Sequence, residues 1–321
     1  MATITLSLEL ELGWGLVHHG GLTALSSGRQ RETETLSRLL SLCDDLAISV
    51  TFDVVGHLLL SAPLVDDDRP HPDGWFDSIP RTGPETDPEF YAPDLVEMIR
   101  STDVDHEICT HTFSHVECGD VPRETLEWEL DHVLAVHREC GLPAPTSFVP
   151  PRHSIPPYDL LRAYGFEVIR VPTYRAPDGP PPPTKRRRAF DIVTGSQPMQ
   201  DPVLRDDLVE SYVTERISLA TPLLPSGQLP PHPAFRPIPI SLRRRLHSRN
   251  LHRAVDLAIA RESYVHLWSH LWDIANDYQW PQIADFLETL GRAQRTRELA
   301  VRRLSDVNQH VRAENDWLVE R

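Results

Sequence analysis

The sequence predicts an α/β fold with a parallel sheet, and its 321 residues suffice for one barrel-sized domain over 1–321. Three observations carry this. Short apolar strands alternate with amphipathic helices through residue 171; the strands end in polar or charged residues; and the first strand sets two carboxylates on one face.

Residues 3–12 alternate strictly, with Ile4, Leu6, Leu8, Leu10 and Leu12 on one face and Thr5, Ser7, Glu9 and Glu11 on the other. In a surface strand the carboxylates would face water. In a barrel strand they point inward and up to the catalytic end, with the leucines beneath the outer helices. Gly13-Trp14-Gly15 reads as a tight turn presenting one aromatic, a candidate platform for substrate stacking, and His18 and His19 fall on a rim loop. Residues 30–46 space Leu36, Leu39, Leu40 and Cys43 as a helix does; 48–54 is the second strand, whose Asp53 is a reserve metal ligand.

Residues 61–93, rich in proline and aspartate, form a loop excursion facing substrate with Trp75, Phe76 and Tyr91. Helices at 92–101, 123–140 and 157–164 then alternate with strands that end at Thr110, near Val149 and at Val171. A second excursion, 173–204, carries a proline run and the Lys185-Arg186-Arg187-Arg188 cluster, read as solvated loop charge. Strands at 208–213 and 217–224, a helix at 240–261, a strand at 263–269 and a helix at 281–295 follow, ahead of a charged tail.

The balance of 32 basic and 47 acidic residues, net −15, argues against a nucleic-acid binder that works by neutralising phosphates. The N-terminus lacks a secretory pattern and no apolar run could span a bilayer, so a cytoplasmic location is expected, with no transmembrane segment. The four cysteines form no CxxC pair and read as reduced thiols; Cys109 and Cys118, beside the histidine pair discussed next, read as core filling and not as zinc ligands.

That pair, in Thr110-His111-Thr112-Phe113-Ser114-His115, follows a buried strand end. If the turn continues as helix, the two imidazoles share a face and reach one divalent ion. Two nitrogens hold a metal poorly, so a carboxylate from the first strand is expected to complete the set. Late in the chain His266, Trp268 and His270 share one strand face, with His270 at its end.

With these residues in place the chain resembles the polysaccharide deacetylase family, also called NodB-homology or carbohydrate esterase family 4, over roughly residues 3–290. The likeness rests on Ser7-Leu8-Glu9-Leu10-Glu11, the HxxxH motif His111–His115, the Phe148–Arg152 strand end and the His266–His270 strand. Residues 48–57 resemble the family's second-strand segment, which argues against Asp53 as the metal acid. The nearest likeness is to cytoplasmic members with Asp-x-Glu in strand one. The resemblance implies a distorted (β/α)7-type, TIM-like barrel. It also implies a divalent metal ion, zinc by chemistry and availability, held by His111 and His115.

The departures bear on the site. The family's base aspartate falls on Glu9 and its metal aspartate on Leu10, which cannot ligate; the period of two sets Glu11 on the face of Glu9, so Glu11 is the expected oxygen ligand. Arg152 comes after its two prolines where the family places arginine before them, and is assigned to orient Glu9. Glu9 is then the base, His270 the acid with His266 as the alternative, and Trp14 and Trp268 the substrate-binding aromatics. The implied activity is removal of an acetyl group from a sugar, with a glycan precursor as partner. An amidase of the allantoinase-like branch and an inactive sugar-binding barrel are the competing readings. Oligomeric state is left open.

Overall fold

The computed structural model describes residues 1–18, 21–64, 69–195, 199–213 and 218–319, with side chains to 313. Its first strand, β1 (Ala2–Leu10), is buried at every position although Thr3, Thr5, Ser7 and Glu9 are polar. An alternating strand can be buried on both faces only if its polar face meets other polar groups, and here that face lines the inside of a barrel. Eight further strands follow: β2 (Thr51–Val54), β3 (Glu107–Thr110), β4 (Ser147–Phe148), β5 (Val168–Pro172), β6 (Val203–Arg205), β7 (Leu208–Val213), β8 (Tyr264–His270) and β9 (Leu299–Val301). Parallel pairings run β1–β2–β3–β4–β5–β7–β8 and back to β1, closing seven strands into a barrel. β6 adds antiparallel to β7, and β9 pairs with the first residues of β1. This is the expected (β/α)7 architecture.

The helices are α1 (Gly13–Val17), α2 (Gln30–Leu46), α3 (Pro93–Arg100), α4 (Arg123–Glu139), α5 (Tyr158–Ala163), α6 (Lys185–Thr194), α7 (Ile240–Arg261), α8 (Leu271–Ile274), α9 (Trp280–Arg295) and α10 (Leu304–Val319). On α2 the buried stripe is Leu36, Leu39, Leu40 and Cys43, as the spacing predicts, and it packs in one cluster with Ile4, Leu6, Leu8 and Leu10. Burying each such side chain contributes about 1.5–3 kcal/mol.

Inside, the barrel has two levels. The lower one is apolar: Cys109, Val149, Val168, Val209 and Tyr264 pack on Leu304, Val307 and Val311 of α10, which plugs the N-terminal end. The start of α10 is fixed there, because Leu304 N donates to Thr51 Oγ1 (2.9 Å) and Ser305 N to Glu107 Oε2 (3.0 Å). The first turns of the charged tail therefore pack. The upper level is polar and holds Ser7, Asp53, Arg170, Ser211 and His266 beneath the strand ends.

Two expectations fail. Lys185–Arg188 is the first turn of α6, capped by Thr184 Oγ1, which accepts from Arg187 N (3.2 Å). Residues 218–224 are irregular, with Leu223 and Leu224 buried in a small cluster under α6; Ile217, like His19, lies outside the described residues. No described helix is long and apolar enough to cross a membrane.

Candidate active site

β3 ends at Thr110, and the histidine pair lies on a loop. Thr112 (φ 60°) and His115 (φ 62°) adopt left-handed backbone, which ends any helix before it starts. The loop is held from behind by Glu129 of α4, fully buried, whose Oε2 accepts from Phe113 N (2.7 Å) and Ser114 N (2.8 Å) and whose Oε1 accepts from Ser114 Oγ (2.6 Å). Gly56 N and His57 N donate to the carbonyls of Thr112 and Phe113, both at 2.9 Å. The helical spacing rule therefore fails for these two histidines, yet the loop brings their ring centroids to 5.0 Å.

The first-strand acids meet them. Glu9 stands at the top of β1, and Glu11 just past it turns back over the same opening. Gly15 makes room for Glu11: a Cβ there would sit 2.0 Å from its Cδ. Trp272 Nε1 donates to Glu11 Oε1 (3.0 Å), and His115 Nε2 lies 2.8 Å from Glu11 Oε2. His111 Nδ1–H donates to Val149 O (2.8 Å), which leaves Nε2 as a bare lone pair 3.8 Å from both Glu9 Oε2 and Glu11 Oε2. Burial lowers the His111 pKa to about 4, so the ring is neutral. Its Nε2 is buried and has no hydrogen-bond partner.

A buried nitrogen lone pair without a donor is costly unless something electrophilic meets it. Glu11, His111 and His115 bring three donor atoms within 4.8 Å of one another. Donors about 2.1 Å from a tetrahedral ion lie about 3.4 Å apart. The observed 2.8 Å and 3.8 Å separations straddle that distance. These residues fit a divalent cation. A second group, Glu9, Glu11 and His270, is equally close, but Glu9 and His270 are committed to other partners.

Glu9 Oε1 receives Arg170 Nη2, and Oε2 lies 3.0 Å from His270 Nε2. Burial alone would raise the Glu9 carboxyl, but Arg170, His270 and His111 outweigh it and hold the pKa well below the usual range. Glu11 behaves likewise: burial raises it, while His270 and His115 bring it down to about 2. His270 Nδ1–H donates to Asp273 Oδ2 (2.6 Å). Burial works against its proton, but Glu11, Glu9 and Asp273 raise it well above an ordinary histidine. The site thus sets ionised carboxylates and a protonated histidine around one cavity of about 400 Å³, with the neutral His111 ring buried beside them. Arg152, His153, Trp268 and Trp272 are among its walls.

The structure gathers Glu9, Glu11, His111, His115 and His270, with Trp268 beside them. It does not bring Arg152 to Glu9. Arg152 sits at the rim with its Nε 3.3 Å from Glu117 Oε1, and the guanidinium on Glu9 is that of Arg170, reaching up inside the barrel from β5. Trp14 is not a platform: α1 turns it inward, fully buried against His57, Phe76 and Phe90. Asp53, the β2 partner of Glu9 in the sheet, lies 3.1 Å from Arg170 Nη1 and takes no part in the cation cluster. His266 is lower, between Ser7 Oγ and Ser211 Oγ at 2.9 Å each and outside the cation cluster; burial and Arg170 push its pKa well down. The four cysteines are free, and Cys109 donates to Asp53 from the barrel interior. Sequence reasoning missed Arg170, Asp273, Trp272 and His153. Asp273 stood three residues after His270, and Arg170 was an arginine on the inward phase of an otherwise apolar strand; both were readable signals.

No family model and no curated protein matches the sequence. Solved structures do, and they define a class first: a barrel of the NodB deacetylase kind. A Mycobacterium smegmatis protein described as a polysaccharide deacetylase superposes with TM-score 0.62 at 12% identity, over 98% of this chain and 91% of that one. The Puue allantoinase matches with TM-score 0.56 at 13% identity, over 97% and 90%. A Pseudomonas aeruginosa PAO1 protein described as a polysaccharide deacetylase matches with TM-score 0.54 at 13% identity, over 96% and 90%. At such identities the likeness is one of fold.

Proposed function

We propose that this chain is a metal-dependent hydrolase that removes an acetyl group from an N-acetylated or O-acetylated sugar of a glycan precursor. The observation that carries the reading is the partnerless, buried Nε2 of His111 facing Glu11 and His115, beside an ionised Glu9 and a protonated His270. His111, His115 and Glu11 would hold the ion, zinc by availability and ligand type. When bound, a divalent ion supplies a Lewis acid that polarises the acyl carbonyl and brings the pKa of a water to about 7.

The chain's own groups do the rest. Glu9 Oε2 accepts the proton of the attacking water, and Arg170 keeps that carboxylate ionised and aimed. His270 Nε2 carries the proton that the departing amine or alkoxide takes. Asp273 holds the ring in the orientation that presents Nε2. Trp268 and Trp272 give the cavity apolar walls against which a sugar face can stack.

The test is metal content and acetate release for the wild type and His111→Ala. A stoichiometric divalent ion and acetate release, both lost in the variant, support the reading. Ammonia or a ring-opened amide product instead of acetate would move the substrate to the amidase class. Unchanged metal content and unchanged hydrolysis in His111→Ala would sink the centre itself.

A further inference from the structure

Ten of the 32 basic residues lie in two stretches, 184–190 and 218–255, that contain no carboxylate, while the rest of the chain carries all 47 acidic residues. The fold puts the two stretches together. α6 lies on α7 over a small cluster of Ile192, Leu223, Leu224 and Phe235; Arg253 Nη1 of α7 donates to Thr194 O (3.1 Å), and Arg249 hydrogen-bonds to Val193 O. The same region bears most of the exposed large apolar side chains among the described residues: Phe190 (57%), Leu242 (45%), Val193, Leu229 and Ile240. Arg186 and Arg245, also exposed, lie in the same helices, α6 and α7. The region also borders the cavity, because Leu219 N donates to Trp268 O (3.0 Å) and Ser226 Oγ bonds the Asp273 carboxylate.

We propose that the face formed by α6, residues 218–239 and the first half of α7 docks on an anionic phospholipid bilayer. Charge complementarity selects the surface: within a Debye length of about 8 Å at physiological salt, a local basic face attracts anionic headgroups although the whole chain is net negative. The apolar side chains select a bilayer over a nucleic acid. Phosphates would be met by arginine alone, whereas an exposed phenylalanine and leucines between arginines have an occupant only where acyl chains begin. Docked this way, the segment held at the lipid surface is the one that borders the cavity through Trp268 and Asp273. This placement deepens the hydrolase reading by favouring a membrane-apposed substrate, but the docking itself stands without it.

Sedimentation of the full chain with unilamellar vesicles tests it, comparing phosphatidylglycerol–phosphatidylcholine mixtures with phosphatidylcholine alone. The expected result is binding to the mixed vesicles only, weakened at least about tenfold by R186E/R245E and several-fold by F190S/L242S. All four positions are exposed, and thermal melts confirm folding. Absence of binding to anionic vesicles would overturn the proposal, as would binding that R186E/R245E leaves unchanged. Binding to single-stranded DNA as tight as to vesicles, and indifferent to F190S/L242S, would replace the bilayer with a polyanion. None of these variants touches the cation cluster, so a failed hydrolase assay and a failed vesicle assay are separate results.

Discussion

The two levels of the barrel interior are built from the same strands and differ in almost everything else. Below, Cys109, Val168, Val209 and Tyr264 close on α10 with ordinary apolar packing. Above, the next inward positions of β5, β7 and β8 are Arg170, Ser211 and His266, joined by Glu9 of β1 and Asp53 of β2, and one guanidinium is shared between two carboxylates. Buried charge of this kind is poor stability design, since an apolar core of equal volume is as good or better. Its presence one layer above a conventional core says that the lower level holds the fold and the upper one is kept for chemistry.

Substitutions that separate those two roles sharpen the contrast. The largest effect is expected from Glu9→Gln: removing the proton acceptor should cost about 10²–10⁴ in kcat. Metal content should change little and the unfolding midpoint should fall less than in an Arg170 variant, because the glutamine side chain still fills the space and Asp53 remains on Arg170. A fall in both activity and bound metal would instead make Glu9 a ligand. Arg170→Met should hurt both properties. It leaves Glu9 and Asp53 buried without their shared cation, a loss of about 3–5 kcal/mol in urea unfolding, with activity falling alongside. Intact stability in that variant would mean the two carboxylates do not depend on the guanidinium.

Leu304→Ala is the converse case. Deleting a fully buried side chain in the plug should cost about 2–5 kcal/mol while kcat stays within about twofold, provided assays are run well below the lowered midpoint. A large kcat effect would show that the plug shapes the upper level and that the two roles are not separable.

The lower level and the outer helices were legible in the sequence because they follow period rules: the leucines of β1 and the stripe of α2 fall where spacing puts them. The upper level was legible only in part. Glu9, Glu11 and the HxxxH spacing could be read because the first strand alternates and two histidines recur. Arg170 showed only as an inward arginine on an apolar strand; that it meets Glu9 depends on strand order around a closed barrel, and the arginine–proline pattern of the resemblance pointed to Arg152 instead. Trp14 failed for a related reason. A short helix after β1 decides whether its ring faces in or out, and five residues with flanking glycines carry no periodic signal.

The smallest expected effect lies outside both levels and concerns pH. Burial lowers the pKa values of His57, His106 and His247 to about 4, so each is neutral in the fold. A folded pKa below the unfolded value of 6.5 contributes stability that is fully present above pH 6.5 and is lost as pH falls through about 4. In full such a difference is about 3 kcal/mol per histidine, and less for His106, which keeps some exposure. Asp53 acts with the opposite sign: burial raises it to about 7, so its contribution is complete below its ordinary 3.8 and fades as pH rises through 7. A single substitution isolates one contributor. His106 Nδ1 accepts from Val50 N (3.1 Å), and the Oδ1 of asparagine can accept in its place without titrating. His106→Asn should therefore stay within about 1 kcal/mol of the wild type at pH 7.5 and lose about 1–2 kcal/mol less between pH 6.5 and 4 in urea titrations. An unchanged slope would mean that the ring is already charged in the fold.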